Sequence, residues 1–74
     1  MIDVLVVDDD YMTASIHRAY TERVAGFKVV GEAHTGAEAI ALVEQQHPQL
    51  VLLDIYLPDI NGLDVIRHLR ARQT

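Results

Sequence analysis

Two short apolar runs, each ended by acid, constrain this chain more than anything else in it. The first reads VLVVDDD, residues 4–10, and the second opens VLLDIYLPDINGLD, residues 51–64. Neither run alternates apolar with polar residues. A strand of that kind is buried on both faces, as in a parallel sheet covered by helices. Parallel neighbours need long crossovers, so the intervening segments should be helical. An acid at the end of such a strand then needs an explanation, because the strand itself has no use for it.

The rest of the chain supplies the crossovers. Strands are expected at Ile2 to Val7, at about Phe27 to Ala33 and at Leu50 to Leu53. A helix from about Asp10 to Val24 places Met12, Ile16, Ala19, Tyr20 and Val24 at helical spacing. His17, Arg18, Glu22 and Arg23 fill its other face. Asp10 suits the N-cap and Gly26 the stop. Gly31 and Glu32 make the second strand less buried, which predicts an edge. Thr35 and Glu38 stand at capping-box spacing, each able to bond the other's backbone N–H. Ala37, Ile40, Ala41 and Leu42 are expected to face inward. His47-Pro48 closes that helix, because the residue before a proline is pushed out of the helical region. A third helix runs from Gly62 or Leu63 to about Arg70, with Leu63, Ile66 and Leu69 inward. Asp64 near its start and Arg67, His68, Arg70 and Arg72 towards its end complement the helix dipole. The order is β-α-β-α-β-α, with right-handed crossovers and one parallel sheet.

With 74 residues there is room for one small domain, which buries only about 60% of its unfolded surface at this size. Half the residues are hydrophobic and 23% are charged, a globular composition rather than a disordered one. Cysteine is lacking, so disulfides and thiolate metal sites are excluded and a reducing cytoplasm is compatible. The apolar runs are too short for a membrane helix, and MIDVLVVDDD is not expected to act as a secretory leader. A net charge of −5 argues against direct nucleic-acid contact and for a cation site.

In parallel α/β sheets ligands gather at the carboxyl ends of the strands. Asp8 and Asp9 close the first strand and Asp54 closes the third. If those strands are neighbours, three carboxylates meet on one patch. Two like charges about 4 Å apart repel by roughly 4 kcal/mol at an effective dielectric near 20. Either one carboxyl takes a proton or a cation neutralises the group. Hard oxygen donors favour Mg²⁺, with Mn²⁺ as a substitute, and Mg²⁺ commonly shares itself with a phosphate. One Asp is then a candidate nucleophile for a phosphoryl group. The topology alone also fits α/β enzymes.

VLVVDDD followed by LLDIYLPDINGLD resembles the receiver domain of two-component response regulators. The resemblance covers the whole chain. It implies a flavodoxin-like (CheY-like) parallel α/β fold with strand order 2-1-3-4-5, of which residues 1–74 hold the first three βα units. Asp54 matches the phosphoacceptor, supplied by a sensor histidine kinase. Asp8 and Asp9 match the pair that holds Mg²⁺, Asp9 directly and Asp8 mainly through water. The backbone carbonyl of Tyr56 matches a further ligand. Pro58 and Gly62 match the proline and glycine of the following loop. IDVLVVDDDYM, GFKVVGEAHT and LLDIYLP look like the citrate and C4-dicarboxylate branch, cytoplasmic transcription regulators that bind DNA through a C-terminal domain. The family is a signalling one, and the regulator speeds its own dephosphorylation when complete.

The resemblance also implies a Ser or Thr at the end of a fourth strand and a Lys at the end of a fifth. This chain has no position for either, and its single lysine, Lys28, lies on the second strand. The alternative is a truncated fragment that self-associates through the open edge of the third strand and transfers no phosphate. A phosphoaspartyl hydrolase would want a second acid two residues after the nucleophile, where this chain has Tyr56. The Tyr56 side chain either shapes access to Asp54 or packs within the loop. His17, His34, His47 and His68 share no spacing and read as surface residues, with His34 near the mouth of the pocket. Asp59 and Asp64 flank the loop.

Overall fold

The computed structural model describes residues 1–54, 56–60 and 62–73, with no account of the side chains of 62 and 71–73. Asn61 and the Arg72 side chain therefore lie outside the described residues. The elements run β1 (Ile2–Val7), α1 (Tyr11–Glu22), β2 (Phe27–Ala33), α2 (Gly36–Gln46), β3 (Leu50–Leu53) and α3 (Gly62–Gln73). The strands form one parallel sheet in the order β2-β1-β3, so β1 is central and β2 lies at an edge as expected.

The unbroken apolar run from Val4 to Val7 in β1 is explained by what covers it. Leu5 and Val7 pack with Ala33, Ala39 of α2 and Val65 of α3 on one side of the sheet. Val4 and Val6 pack with Ala14 of α1 and Val29 on the other. All four β1 residues are essentially without solvent contact. The β1–β2 register slips between Val4 and Leu5, leaving Val30 unpaired and setting Gly31 opposite Leu5. A β-carbon at Gly31 would meet Leu5 Cδ1 at 3.4 Å and Leu42 Cδ1 at 3.6 Å, close but tolerable. The glycine thus marks a bulge where a helix side chain approaches the strand. Gln49 ties the start of β3 to β1, accepting from the Asp3 N–H at 2.8 Å and donating to the Asp3 carbonyl at 2.9 Å.

Helix faces depart from the sequence reading. In α1 the residue that meets the sheet is Ala14, whereas Met12 is 72% and Tyr20 65% exposed, and Ile16, Ala19 and Val24 are also exposed. Periodicity finds an apolar stripe but not what covers it. The small side chain at Ala14 lets α1 lie close to β1 and β2, and that contact sets the helix rotation. Arg18 adds to it, donating to Glu32 of β2 at 3.0 Å and to Glu22 at 3.2 Å. The helix stops at Glu22, and Gly26 instead makes the turn into β2 at φ +91°.

In α2 the inward residues are Gly36 and Ala39, with Ile40, Leu42 and Val43 half-buried, while Ala37 and Ala41 are exposed. His47 ends this helix in the left-handed region, φ 48° and ψ 54°, and its N–H bonds the Val43 carbonyl. In α3 the anchor is Val65, fully buried, rather than Leu63, which is 51% exposed. Ile66 and Leu69 are half-buried. Asp64 lies in the first turn, as expected, and accepts from Arg67 at 3.1 Å.

Candidate functional site

The three acids meet. Asp8, Asp9 and Asp54 each bring a carboxylate oxygen to within 4.8 Å of the others. The cause is the strand order: Val7 pairs with Leu53, so the residue after each strand stands beside the other. The Asp54 N–H continues the ladder onto the Val7 carbonyl at 2.9 Å, and the Asp8 N–H continues it onto the Ala33 carbonyl at 2.9 Å. The backbone of both acids is therefore held by the sheet itself. Asp8 and Asp54 are half-buried, and Asp9 is exposed.

Local bonds aim the side chains. The Asp10 N–H donates to Asp8 Oδ1 at 2.9 Å, and the Tyr56 N–H donates to Asp54 Oδ1 at 3.0 Å. Asp10 is used elsewhere, as the N-cap of α1. Its carboxylate accepts from the Thr13 hydroxyl at 2.6 Å and the Met12 N–H at 3.1 Å. These bonds, the Thr13 one foremost, hold its carboxyl below the usual range.

The donors offered by the cluster are carboxylate oxygens alone, a set suited to a hard divalent cation and poorly suited to a soft one. At such separations each pair of charges repels by about 3 kcal/mol at an effective dielectric near 20, less where water reaches Asp9. Beside the acids runs an open cleft of about 510 Å³, floored by Val6, Val7, Leu52 and Leu53 and reached by His17 of α1. His17 is exposed, as expected of a surface residue, and lies at the wall of this cleft. Lys28 stands opposite Asp3, at the far end of the sheet from the acids.

The loop after Asp54 carries Tyr56, 80% exposed, and half-buried Leu57, which packs on the core. Pro58 is exposed in a bend, and Gly62 opens α3. Asp59 has a role that its sequence position did not reveal. Its carboxylate accepts from the N–H groups of Gly36 at 2.7 Å and Ala37 at 3.0 Å, closing the N-terminus of α2 from a distant loop. Those two backbone bonds hold the Asp59 carboxyl below the usual range. The capping box beside it is half formed: Thr35 Oγ1 accepts from the Glu38 N–H at 3.1 Å, but Glu38 Oε1 reaches the His34 N–H at 3.3 Å. His34 is the second residue that sequence reasoning underrated. Its ring bonds the Asp8 carbonyl and stacks on Tyr11. The adjacent capping box was the one local hint, since it fixed where β2 turns into α2.

A three-stranded parallel sheet with helices on both faces and acids at the ends of its central strand and of a neighbouring edge strand is the arrangement of a receiver-type α/β protein. The model of the response regulator receiver domain matches residues 4–74, and the chain belongs to that family. It is 39% identical over 72 residues to the transcriptional regulatory protein MalR of Bacillus subtilis (strain 168), an alignment that covers 97% of this chain and 31% of MalR. The probable C4-dicarboxylate response regulator DctR of Priestia megaterium is 37% identical over 68 residues, covering 92% of this chain and 30% of DctR. Among solved structures, the MaeR response regulator bound to beryllium trifluoride superposes with a TM-score of 0.89 at 41% identity, covering 99% of this chain and 60% of that one. The chain thus spans about a third of the length of the curated relatives it matches. Among the described residues no helix is long and apolar enough to cross a membrane.

Proposed function

We propose that this chain forms the first three βα units of a receiver domain and that Asp54 is its phosphoacceptor. The observation that carries this reading is the convergence of Asp8, Asp9 and Asp54 at the carboxyl ends of β1 and β3. Asp54 Oδ1 is engaged by the Tyr56 N–H, which leaves Oδ2 as the attacking oxygen. That oxygen attacks the phosphorus of a phosphohistidine on a sensor kinase. With the other ring nitrogen of the phosphohistidine protonated, the P–N bond breaks, its electron pair returns to the ring, the imidazole leaves neutral, and an aspartyl phosphate results. Asp8, Asp9, Asp54 and the Tyr56 carbonyl would hold Mg²⁺. When bound, the ion offsets negative charge on the transferring phosphoryl group. The chain is a signalling element rather than an enzyme.

The family and the named relatives support a transcriptional regulator of the C4-dicarboxylate type, with the citrate branch suggested by the sequence resemblance, acting in the cytoplasm. DNA contact would come from a separate domain, since this segment is acidic. Acetyl phosphate with Mg²⁺ tests the acceptor role. Label on Asp54 supports the proposal, and turnover of phosphate esters would instead support a hydrolase.

A second reading has its own observation. Ile16, Tyr20 and Val24 are exposed on the α1 side, Leu50 is 40% exposed on β3, and β3 pairs only with β1 among the described residues. Such a face and edge favour self-association of this segment through β3. Sedimentation decides it: oligomers that take up no label support the fragment reading, and a labelled monomer removes it.

A further inference from the structure

We infer that His34 is a positioning residue for the acidic pair, acting through the Asp8 backbone; this rests on the reading of Asp8 and Asp9 as Mg²⁺ ligands. His34 Nδ1 lies 2.9 Å from the Asp8 carbonyl oxygen. A carbonyl only accepts, so Nδ1 carries the proton and donates. The parallel ladder explains why this bond is needed. The Asp8 N–H bonds the Ala33 carbonyl, and a continued ladder would bring the Thr35 N–H onto the Asp8 carbonyl. The chain instead turns at Thr35 to cap α2. The imidazole N–H takes the place of that missing backbone donor and extends the sheet by one bond.

The bond has a consequence for the acids. Asp8 is now held at its N–H by Ala33, at its carbonyl by His34 and at Oδ1 by the Asp10 N–H. Fixing the carbonyl sets the peptide plane between Asp8 and Asp9, and with it the direction in which Asp9 leaves the strand. The imidazole is held in turn. Tyr11, the first residue of α1, stacks on it with ring centroids 3.6 Å apart and planes 14° from parallel. The backbone beneath the ring is held as well: Glu38 accepts from the His34 backbone N–H, and Asp59 fixes the two residues that open α2. His34 thus links the loop that carries Asp8 and Asp9 to the loop that carries Asp54, through the start of α2. Its ring bonds the Asp8 backbone rather than a carboxylate of the cluster, so its effect on the cation is indirect.

Two substitutions separate the parts of this claim. His34→Phe keeps the stack on Tyr11 and removes the donor. His34→Asn keeps a donor, because the Asn amide nitrogen occupies the place of Nδ1, and removes the stack. Calorimetric Mg²⁺ titration of the intact protein, with melting in chelator as a control on folding, reads the outcome. His34→Phe should weaken Mg²⁺ binding about tenfold, the low end for loss of an outer-shell partner. His34→Asn should recover most of that affinity. Mg²⁺ affinity unchanged in His34→Phe, or equally poor in both variants, would overturn the inference. A wild-type protein that binds Mg²⁺ with either of those results loses this inference alone. A wild-type protein that binds no Mg²⁺ loses the metal site and the inference together.

Discussion

The Asp59 carboxylate sits 2.7 Å from the Gly36 backbone nitrogen, 23 residues away in sequence, and caps a helix to which its own loop is not adjacent in the chain. Its second oxygen takes the Ala37 N–H at 3.0 Å. The loop that follows Asp54 is therefore fastened to the start of α2. An unfolded Asp titrates near about 3.9, and the folded Asp59 lies lower because both backbone bonds favour the charged form. A depressed folded value adds stability above the unfolded one, and that contribution fades as pH falls through the folded one. Asp59→Asn should lower the melting temperature at neutral pH. The gap from wild type should narrow as the pH is taken below about 4. A gap that stays constant with pH would show that charge has no part in the cap.

Gly36 is required for a different reason. A β-carbon there would run into Cγ1 and Cδ1 of Ile60, on the same loop as Asp59. Gly36→Ala gains some helix propensity but must push Ile60 aside, and should cost about 1–2 kcal/mol net. Denaturant unfolding measures it. In an Ile60→Ala background, which lacks both of those carbons, the cost of Gly36→Ala should shrink.

Helix α3 offers a direct contrast between pattern and packing. Val65 is fully buried among Leu5, Val7, Ala33 and Ala39, and Leu63 is half exposed. Val65→Ala should destabilise by about 2 kcal/mol, while Leu63→Ala, at a half-exposed position, should cost about 1 kcal/mol or less. Chemical denaturation of the pair checks both. The reverse ranking would mean that α3 is rotated on the sheet.

Cation binding should appear as stability. A ligand that binds only the folded chain adds about 1.4 kcal/mol at about ten times its dissociation constant. Mg²⁺ should raise the melting temperature of the wild type, and Asp9→Asn should remove most of that rise. Relief of repulsion among the three acids should also leave Asp9→Asn no less stable than wild type in chelator. An Mg²⁺ shift that survives Asp9→Asn would exclude Asp9 as a ligand.

Much of this fold was legible in the sequence because two signals are local. Continuous apolar strands such as Val4 to Val7 announce burial on both faces, and acids at their ends announce the sheet's carboxyl edge. Those signals brought Asp8, Asp9 and Asp54 together correctly. Helix faces were less legible. The α1 stripe of Met12, Ile16 and Tyr20 is apolar yet exposed, because the sheet meets Ala14 instead. A small residue carries little hydrophobic signal but sets how closely a helix approaches. The roles of His34 and Asp59 were hidden for another reason. Each depends on a backbone group of another loop, the Asp8 carbonyl for one and the Gly36 N–H for the other. Residue types do not encode such partners, since every position offers the same backbone.

Asp54 should be the phosphoryl acceptor of a site built with Asp8 and Asp9. Acid-stable trapping of the phosphorylated intact protein, followed by peptide mass mapping after treatment with acetyl phosphate and Mg²⁺, tests it most directly. We predict one phosphoryl group, carried on Asp54, lost in chelator and lost in Asp54→Asn. A phosphoryl group mapped to another residue of the wild type, or label undiminished in Asp54→Asn, would rule out Asp54 as the acceptor.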